Sequence, residues 1–213
     1  MEYNASSAFP DWILRLDKAT PVYTADSPAF LSRAYSTAND GVVMTILTVV
    51  LTLGLELASF GDVLNICKNK QGATLYAQAV ALNILNNCIL GPLAYELVSS
   101  NWMSAPFTLG GRVAMTAAVV LGHAVGYYCA HRWMHTRRMY WAHRFHHRFN
   151  KYVVPVTANA VSLAEYAIAY MLPFIAGSIL LRPDRCSMFV SVGIISFNNL
   201  LVHTPFLCDI SAK

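Results

Sequence analysis

The chain has 213 residues, of which 56% are hydrophobic and 12% are charged, with a formal net charge of +4. This charged share is about half that of soluble domains. Because the apolar residues come in long runs, the composition excludes an ordinary soluble enzyme and predicts an all-α, polytopic membrane bundle of about four or five spans. The five cysteines are scattered without a C-x-x-C pair, which argues against a disulfide framework or a cysteine-type zinc site.

The N-terminal segment, residues 1–40, has mixed polarity, and we expect a loop or a short surface helix outside the membrane. It lacks a basic start followed by an apolar run, so it is not a cleavable signal peptide. Asn4-Ala5-Ser6 forms a possible glycosylation sequon, which would suit a lumenal location. We expect residues 41–213 to form a single membrane domain.

Two apolar segments lead the membrane domain. Residues 41–60 predict the first span, because about 20 apolar residues in a helix cross the hydrocarbon core. A polar link follows at residues 61–74, and residues 75–98 predict the second span, with a break at Gly91-Pro92. Three asparagines share one arc of this helix, and side chains at that spacing more often bond between helices than bind a substrate. They are Asn83, Asn86 and Asn87.

Three further apolar segments follow. Residues 113–130 predict a third span, residues 161–181 a fourth that is kinked or broken near Pro173, and residues 188–202 a short fifth that is either tilted or re-entrant. Basic residues flank the third span, and such residues usually mark the cytosolic side. With that orientation the 61–74 link is also cytosolic, residues 1–40 are lumenal, and the fifth segment returns His203 to the cytosolic face.

The most informative feature is a cluster of histidines. Six of the seven lie between residues 123 and 147. Imidazole is the commonest metal ligand among neutral side chains, and residues three or four apart share a helix face. The cluster therefore predicts a metal site at the membrane, although nitrogen ligands suit iron, zinc, copper or nickel equally. The six are His123, His131, His135, His143, His146 and His147.

The spacing divides these residues into groups. His131 and His135 are one helical turn apart at the end of the third span. We expect His143, His146 and His147 to present at least two nitrogens on one face of a following helix.

Two histidines stand apart from these groups. His203 is isolated in sequence, and Asn199, one turn earlier, could orient it. His123 lies inside an apolar span, where an interfacial anchor or a supporting group is the commoner role. An ionisable residue within a membrane is nevertheless a functional candidate, so ligation by His123 stays open.

These motifs resemble the fatty acid hydroxylase / sterol desaturase superfamily. The pattern YYCAHRWMH, then YWAHRFHH, then Pro155, Glu165 and FNNLLVH is similar to its HR-x-x-H, H-x-x-H-H and N-x-x-x-H motifs over about residues 75–207. The positions that match metal ligands are His131, His135, His143, His146, His147 and His203. No catalytic residue beyond these ligands is implied.

The resemblance implies a membrane-bound non-haem di-iron oxygenase of the endoplasmic reticulum, with the histidines facing the cytosol. Such an enzyme hydroxylates or desaturates a sterol, fatty acyl chain or sphingolipid with O2 in lipid biosynthesis. Its electrons come from NAD(P)H through cytochrome b5 and a reductase. The sequence has no G-x-G-x-x-G fingerprint, so a partner must supply them. The basic surface of residues 132–151 could dock an acidic electron carrier or simply mark the cytosolic side; we expect no nucleic-acid partner.

Two departures from the family pattern bear on activity. Ala124 replaces an acidic residue that is often found before the first motif, and a final H-x-x-H-H motif is missing. We therefore expect a C-terminally incomplete domain. The alternative function is a truncated, catalytically incompetent member that acts as a non-enzymatic membrane protein. A bis-histidine haem carrier is disfavoured, because His131 and His135 share one helix and only His123 lies within a span.

Overall fold

The computed structural model describes residues 28–205, with side chains from residue 39 onward. Regular structure within this range is entirely helical. The α-helices in chain order are α1 (Pro28–Ala58), α2 (Phe60–Cys67), α3 (Lys70–Trp102), α4 (Leu109–Met134), α5 (Tyr140–His143), α6 (Leu163–Leu181) and α7 (Arg185–Leu201). Two 3-10 turns, His146–Phe149 and Pro155–Asn159, lie between α5 and α6.

Four of these helices are long and apolar enough to cross a membrane: α1 from Asn39, α3, α4 and α6. The prediction of an all-α, polytopic membrane bundle is confirmed. Helix α7 has 17 residues, or about 25 Å of helix. Its first residue, Arg185, pairs with Asp40 at one end of the bundle, and the chain after its last turn brings His203 against His146 at the other. This short helix therefore runs the length of the bundle.

The bundle has two distinct ends. At the histidine end, which holds the C-terminus of α4 and the N-termini of α3 and α6, Ile66 and Leu75 pack with Phe149 and Val154 in one buried cluster. The opposite end holds the α3–α4 and α6–α7 connections. The link at residues 61–74 thus lies on the same side as the histidines, in agreement with the predicted relative sidedness.

Both proline-containing spans carry a π-helical turn just before the proline. Ile84–Leu90 precedes Pro92 in α3, and Tyr166–Met171 precedes Pro173 in α6. A proline ring clashes with the carbonyl four residues earlier, and a wider turn relieves that clash. The break predicted at Gly91-Pro92 is wrong because α3 continues to Trp102. Helix α6 likewise continues past Pro173 to Leu181, so it is not broken there, and a kink at this proline stays a prediction.

The two π turns touch each other. The Tyr166 hydroxyl donates a 2.8 Å hydrogen bond to the carbonyl of Asn86. Helix α6 also approaches α4 closely, since a Cβ at Gly126 would lie only 2.7 Å from Cβ of Pro173. Gly126 thereby lets α4 carry its histidines directly beside α6.

A buried connection, residues 154–161, joins the histidine segment to α6. Buried peptide groups need hydrogen-bond partners, and polar side chains of α1 and α3 supply some of them. Glu56 Oε1 accepts a 2.6 Å hydrogen bond from the Val156 amide, while Tyr76 donates to Oε2 of the same carboxylate at 3.0 Å. These contacts tie the connection to the first two spans.

The three asparagines of α3 act structurally on the same connection. Asn83 Nδ2 donates to the Val156 carbonyl at 3.2 Å, and Asn86 Nδ2 donates to the Asn159 carbonyl at 3.0 Å. Asn87 donates to Asn83 Oδ1 at 3.2 Å. Their partners are the backbone of the buried connection and one another, in place of the neighbouring helix that the spacing suggested.

Three local expectations were wrong. Helix α1 begins at Pro28, so the described part of residues 1–40 is helical and continuous with the first span. Most of the 61–74 link is also helical, because Ile66 turns its apolar side chain into the core. His143 ends α5 while His146 and His147 open a separate 3-10 turn, so they do not share one helix. The sequon at residues 4–6 lies outside the described residues.

Candidate metal centre

Helix α4 positions the first pair of histidines. His131 and His135 are one turn apart near its C-terminus, and their Nε2 atoms are 3.2 Å apart. Two nitrogens that each lie about 2.1 Å from one metal ion at tetrahedral or octahedral angles are separated by about 3.0–3.4 Å. The pair therefore has the spacing of two ligands of a single ion.

Helix α5 brings a third ring onto this pair, and the 3-10 turn after it brings a fourth. The His143 ring is 4.4 Å from that of His131 and 4.8 Å from that of His135, between centroids. One ligand atom from each of the three lies within 4.8 Å of the others. The His147 ring is 4.5 Å from His143 and 5.0 Å from His135. Three imidazoles thus converge on one position, and the His147 ring lies beside them.

A buried carboxylate orients His143. Glu165 Oε1 lies 2.7 Å from His143 Nδ1, and both side chains are fully buried. When Nδ1 donates to this carboxylate, the lone pair is on Nε2, which makes Nε2 the ligand atom. Ser162 supports the arrangement, because its hydroxyl donates to the Ala142 carbonyl at 2.6 Å and accepts from the Glu165 amide at 3.1 Å.

The orienting role of Glu165 was missed by sequence reasoning, which used this residue only as part of a family pattern. The available signal was an acidic residue inside the predicted fourth span, where an ionisable group is costly without a partner.

His146 and His203 form a second position next to the first. Their ring centroids are 5.6 Å apart, and His146 is also 5.6 Å from His143. His203 Nδ1 donates to the Asn199 carbonyl at 2.9 Å, which leaves its Nε2 free to bind a ligand. Asn199 was expected to orient His203, and it contacts that ring through its backbone. Its side chain instead donates to Asn159 Oδ1 at 2.9 Å.

Four of the six rings keep a buried nitrogen without a hydrogen-bond partner among the described residues. A buried polar atom without a partner costs free energy, and metal ions in the cluster would give partners to those of His143, His146 and His147, whereas His131 faces His135 through its other nitrogen, Nε2. The donor set and its burial therefore fit a nitrogen-ligated metal site. The atoms are His131 Nδ1, His143 Nε2, His146 Nδ1 and His147 Nε2.

Burial favours the neutral form of three rings in this cluster. Burial, together with the neighbouring histidines, lowers the pKa of His146 to about 3. Burial and nearby rings also hold the pKa of His147 below its ordinary value, and burial does the same for His203. Neutral imidazole is the form that binds metal, so these rings need not lose a proton near neutral pH to do so.

His123 lies away from the convergence. It is buried on α4, and the Tyr127 ring lies between it and the cluster, 6.4 Å from His123 and 5.3 Å from His131. The six other histidines come together, and whether any of the seven binds metal stays a prediction.

A cavity of about 110 Å³, here called the inner cavity, lies beside the histidines. His123 and Tyr170 contribute to its wall, and so do Asn159 and Asn199, whose side chains bond to each other. Asn199 also holds His203 through its backbone carbonyl, so one residue of the cavity wall contacts the histidine cluster. A largely apolar space in a helical bundle suits a lipid-like molecule.

The surface around the cluster is basic and aromatic. Trp133 and Trp141 are exposed, as expected of side chains at a membrane interface. The Arg148 guanidinium lies 5.5 Å above the Phe145 ring centroid, a cation–π contact. The exposed basic residues are Arg132, Arg137, Arg138, Arg144, Arg148 and Lys151.

Comparison with known families agrees with this geometry. Residues 116–212 match the family model described as fatty acid hydroxylase, and this range holds all seven histidines. Neither the curated proteins nor the solved structures include a match to the chain. The family comprises lipid hydroxylases and desaturases that are generally di-iron enzymes. The match over residues 116–212 supports the resemblance of the chain to the fatty acid hydroxylase / sterol desaturase superfamily.

Proposed function

We propose that this chain is a membrane-bound non-haem di-iron oxygenase that hydroxylates or desaturates a lipid in lipid biosynthesis. Its substrate would be a sterol or a fatty acyl chain, and the reaction would use O2 and external electrons. The observation that carries the proposal is the convergence of six histidines, four of them with an unpartnered buried nitrogen, beside a membrane-embedded cavity.

The residues divide between two metal positions. His131, His135, His143 and His147 would hold one iron, since their rings surround a common point. His146 and His203 would hold the other iron. We expect the first iron to bind more tightly, because it has twice as many histidines among the described residues.

The irons, when bound, supply the O2-dependent oxidation of an unactivated C–H bond, which side-chain acid–base chemistry cannot achieve. The protein's own residues would orient the metal ligands and shield the site from water. Glu165 fixes the ring of His143. Tyr127 packs edge-on against Tyr170 at 5.1 Å, and Tyr170 stacks on Tyr166 at 5.7 Å. This aromatic layer between His131 and the inner cavity would exclude water and position the substrate.

Electrons would come from NAD(P)H through cytochrome b5 and its reductase. The exposed arginines around the cluster support this part of the proposal, because a positive surface attracts an acidic carrier. The location would be the endoplasmic reticulum membrane, as the family resemblance implies, and the same basic residues support an orientation with the histidines in the cytosol.

The first test is the iron content of detergent-purified protein expressed with iron, measured by mass spectrometry. We expect about two irons per chain, as in two-metal sites, and oxidised lipid after incubation with lipid extract, O2 and a reducing system. A folded protein with no iron contradicts the proposal. A folded protein with a single iron and no oxidised lipid favours the non-enzymatic alternative, because the two-histidine position would then be empty.

A further inference from the structure

Helices α1 and α7 leave a cleft between them on the membrane-facing side of the bundle. This α1–α7 cleft has a volume of about 220 Å³. Its rim is formed by Leu47 of α1 and by Val190 and Phe197 of α7, which are 53%, 43% and 47% exposed. The cleft therefore opens where the hydrocarbon chains of a bilayer would lie.

The α1–α7 cleft and the inner cavity share part of their walls. Met44, Thr48 and Ser196 line both spaces. The two volumes are thus neighbours separated by a partition only one side chain thick. The inner cavity continues from this partition to Asn199, four residues before His203 on the chain.

Met44 is the movable part of the partition. It is 9% exposed, and its terminal methyl carbon lies 3.5 Å from the position that a Cβ on Gly193 would occupy. Methionine is unbranched and flexible, so it can change rotamer at low cost. Because residue 193 is glycine, α7 presents no side chain that would hold the methionine in place.

We propose that the α1–α7 cleft is the entrance through which one alkyl chain of a membrane lipid passes sideways into the inner cavity, with Met44 as the side chain that closes it. The inference rests on the proposed function for the identity of the chain as substrate. The inner cavity of about 110 Å³ is small beside the roughly 300–1,000 Å³ of ligand sites in general, so it would hold only part of the lipid, and a slender alkyl chain can insert one segment while the rest stays in the cleft and the bilayer.

The polar inner end of the cavity supports entry of the alkyl chain from the cleft towards the histidines. The cleft is lined mostly by aliphatic and aromatic groups, with two hydroxyls, whereas His123, Asn159 and Asn199 line the inner cavity alone. A hydrocarbon chain that enters from the bilayer would place an internal carbon near the histidines while its remainder stays in apolar surroundings.

The test is photolabelling with a diazirine-bearing palmitate in phosphatidylcholine vesicles that contain the full chain, followed by peptide mass spectrometry. We expect labelled peptides from the inner cavity, such as the one that carries Tyr170. Gly193→Phe would fill the cleft against Met44 and should lower this labelling roughly tenfold. Gly54→Phe is the matched control, since residue 54 is exposed on α1 with nothing within 4 Å of a Cβ, and it should not lower it.

A second variant tests the proposal in the opposite direction. Met44→Ala removes the closing side chain and should raise labelling of the inner cavity several-fold, a result that misfolding of Gly193→Phe cannot imitate. Equal inner-cavity labelling in wild type, Gly193→Phe and Met44→Ala would overturn the entrance. Labelling needs no metal, so normal labelling without oxidised lipid would contradict the proposed function and leave the entrance standing.

Discussion

The two ends of the bundle treat their buried polar groups in opposite ways. At the end that holds the α3–α4 and α6–α7 connections, opposite the histidines, Asp184 accepts hydrogen bonds from Arg112 Nε at 2.8 Å and from the Ser187 amide at 2.9 Å. Arg185 binds Asp40 there at 2.6 and 2.7 Å. At the histidine end, buried ring nitrogens lack protein partners. One end uses its polar groups to close the helix connections, whereas the other keeps ring nitrogens that the proposed metal ions would bind.

The local structure of the two ends differs in the same sense. At the opposite end, Thr108 and Asp184 cap the N-termini of α4 and α7. Each side chain accepts a hydrogen bond from the backbone amide three residues later in the chain. At the histidine end, α5 is a single turn, and its position depends on contacts with distant residues such as Glu165. Short-range caps suffice to close an end, but a convergent site requires long-range contacts.

Replacing His143 should have the largest effect and sharpen the comparison most. We expect His143→Ala to lower iron affinity by more than about 100-fold, because this ring contacts both metal positions and losing a ligand should exceed the loss of a supporting group. The measurement is iron retained against a graded chelator. His123→Ala is the matched control, a buried histidine on the far side of Tyr127. An equal loss in both variants would contradict the placement of the centre.

Glu165→Gln should weaken iron binding by about 10- to 100-fold, because an amide holds His143 Nδ1 less firmly than a carboxylate does. Glu56→Gln is the control, since Glu56 is another buried carboxylate of the histidine end and it binds the Val156 amide. The control should change stability without changing iron affinity. If both glutamines reduced iron binding alike, the specific role of Glu165 would be wrong.

At the opposite end, Asp184→Ala should lower the free energy of unfolding by about 2 kcal/mol, since it removes a helix cap and leaves donors unpaired. Asp184→Asn retains an acceptor for Ser187 and should lose less, because the ion pair with the partly exposed Arg112 contributes little. Thermal unfolding in detergent measures both variants. Loss of iron from either folded variant would show that the two ends are not independent.

The smallest expected effect is a difference between the two ends in how the free energy of unfolding depends on pH. The pKa of His146 is lowered to about 3, so the unfolded chain takes up the proton first as pH falls. The metal-free protein should therefore lose stability below about pH 6.5, and His146→Gln should reduce that slope. Unfolding midpoints between neutral and mildly acid pH measure it, and an unchanged slope in His146→Gln would count against a buried, neutral ring.

Asp184 should respond in a lower window. Burial raises its pKa, but hydrogen bonds from Ser187, Phe107 and Arg112 outweigh burial and hold the pKa below its ordinary value. Its contribution is present above the unfolded pKa of about 3.9 and disappears as pH falls through the lower folded value. The Asp184→Asn variant should thus differ from wild type at pH 6 and converge with it in strong acid.

Sequence patterns sufficed wherever a property depends on nearby residues. Runs of apolar residues specified the spans, because hydrocarbon thickness sets a length that composition reveals directly. The i, i+4 spacing of His131 and His135 placed both rings on one face of α4. The same reasoning failed for α5, which ends at His143. The Ser162 hydroxyl bonds to the Ala142 carbonyl of this helix, and the periodicity of a sequence does not reveal such a long-range contact.

The sequence by itself determined that this protein is a helical membrane bundle with a histidine-rich end, since hydropathy and helical spacing are local. Only the tertiary structure decided that Glu165 orients His143 across 22 residues, that His203 meets His146, and that α1 and α7 leave a cleft beside the inner cavity. The physical reason is that these contacts join distant segments. They form only once buried backbone groups have found partners and the helices have packed.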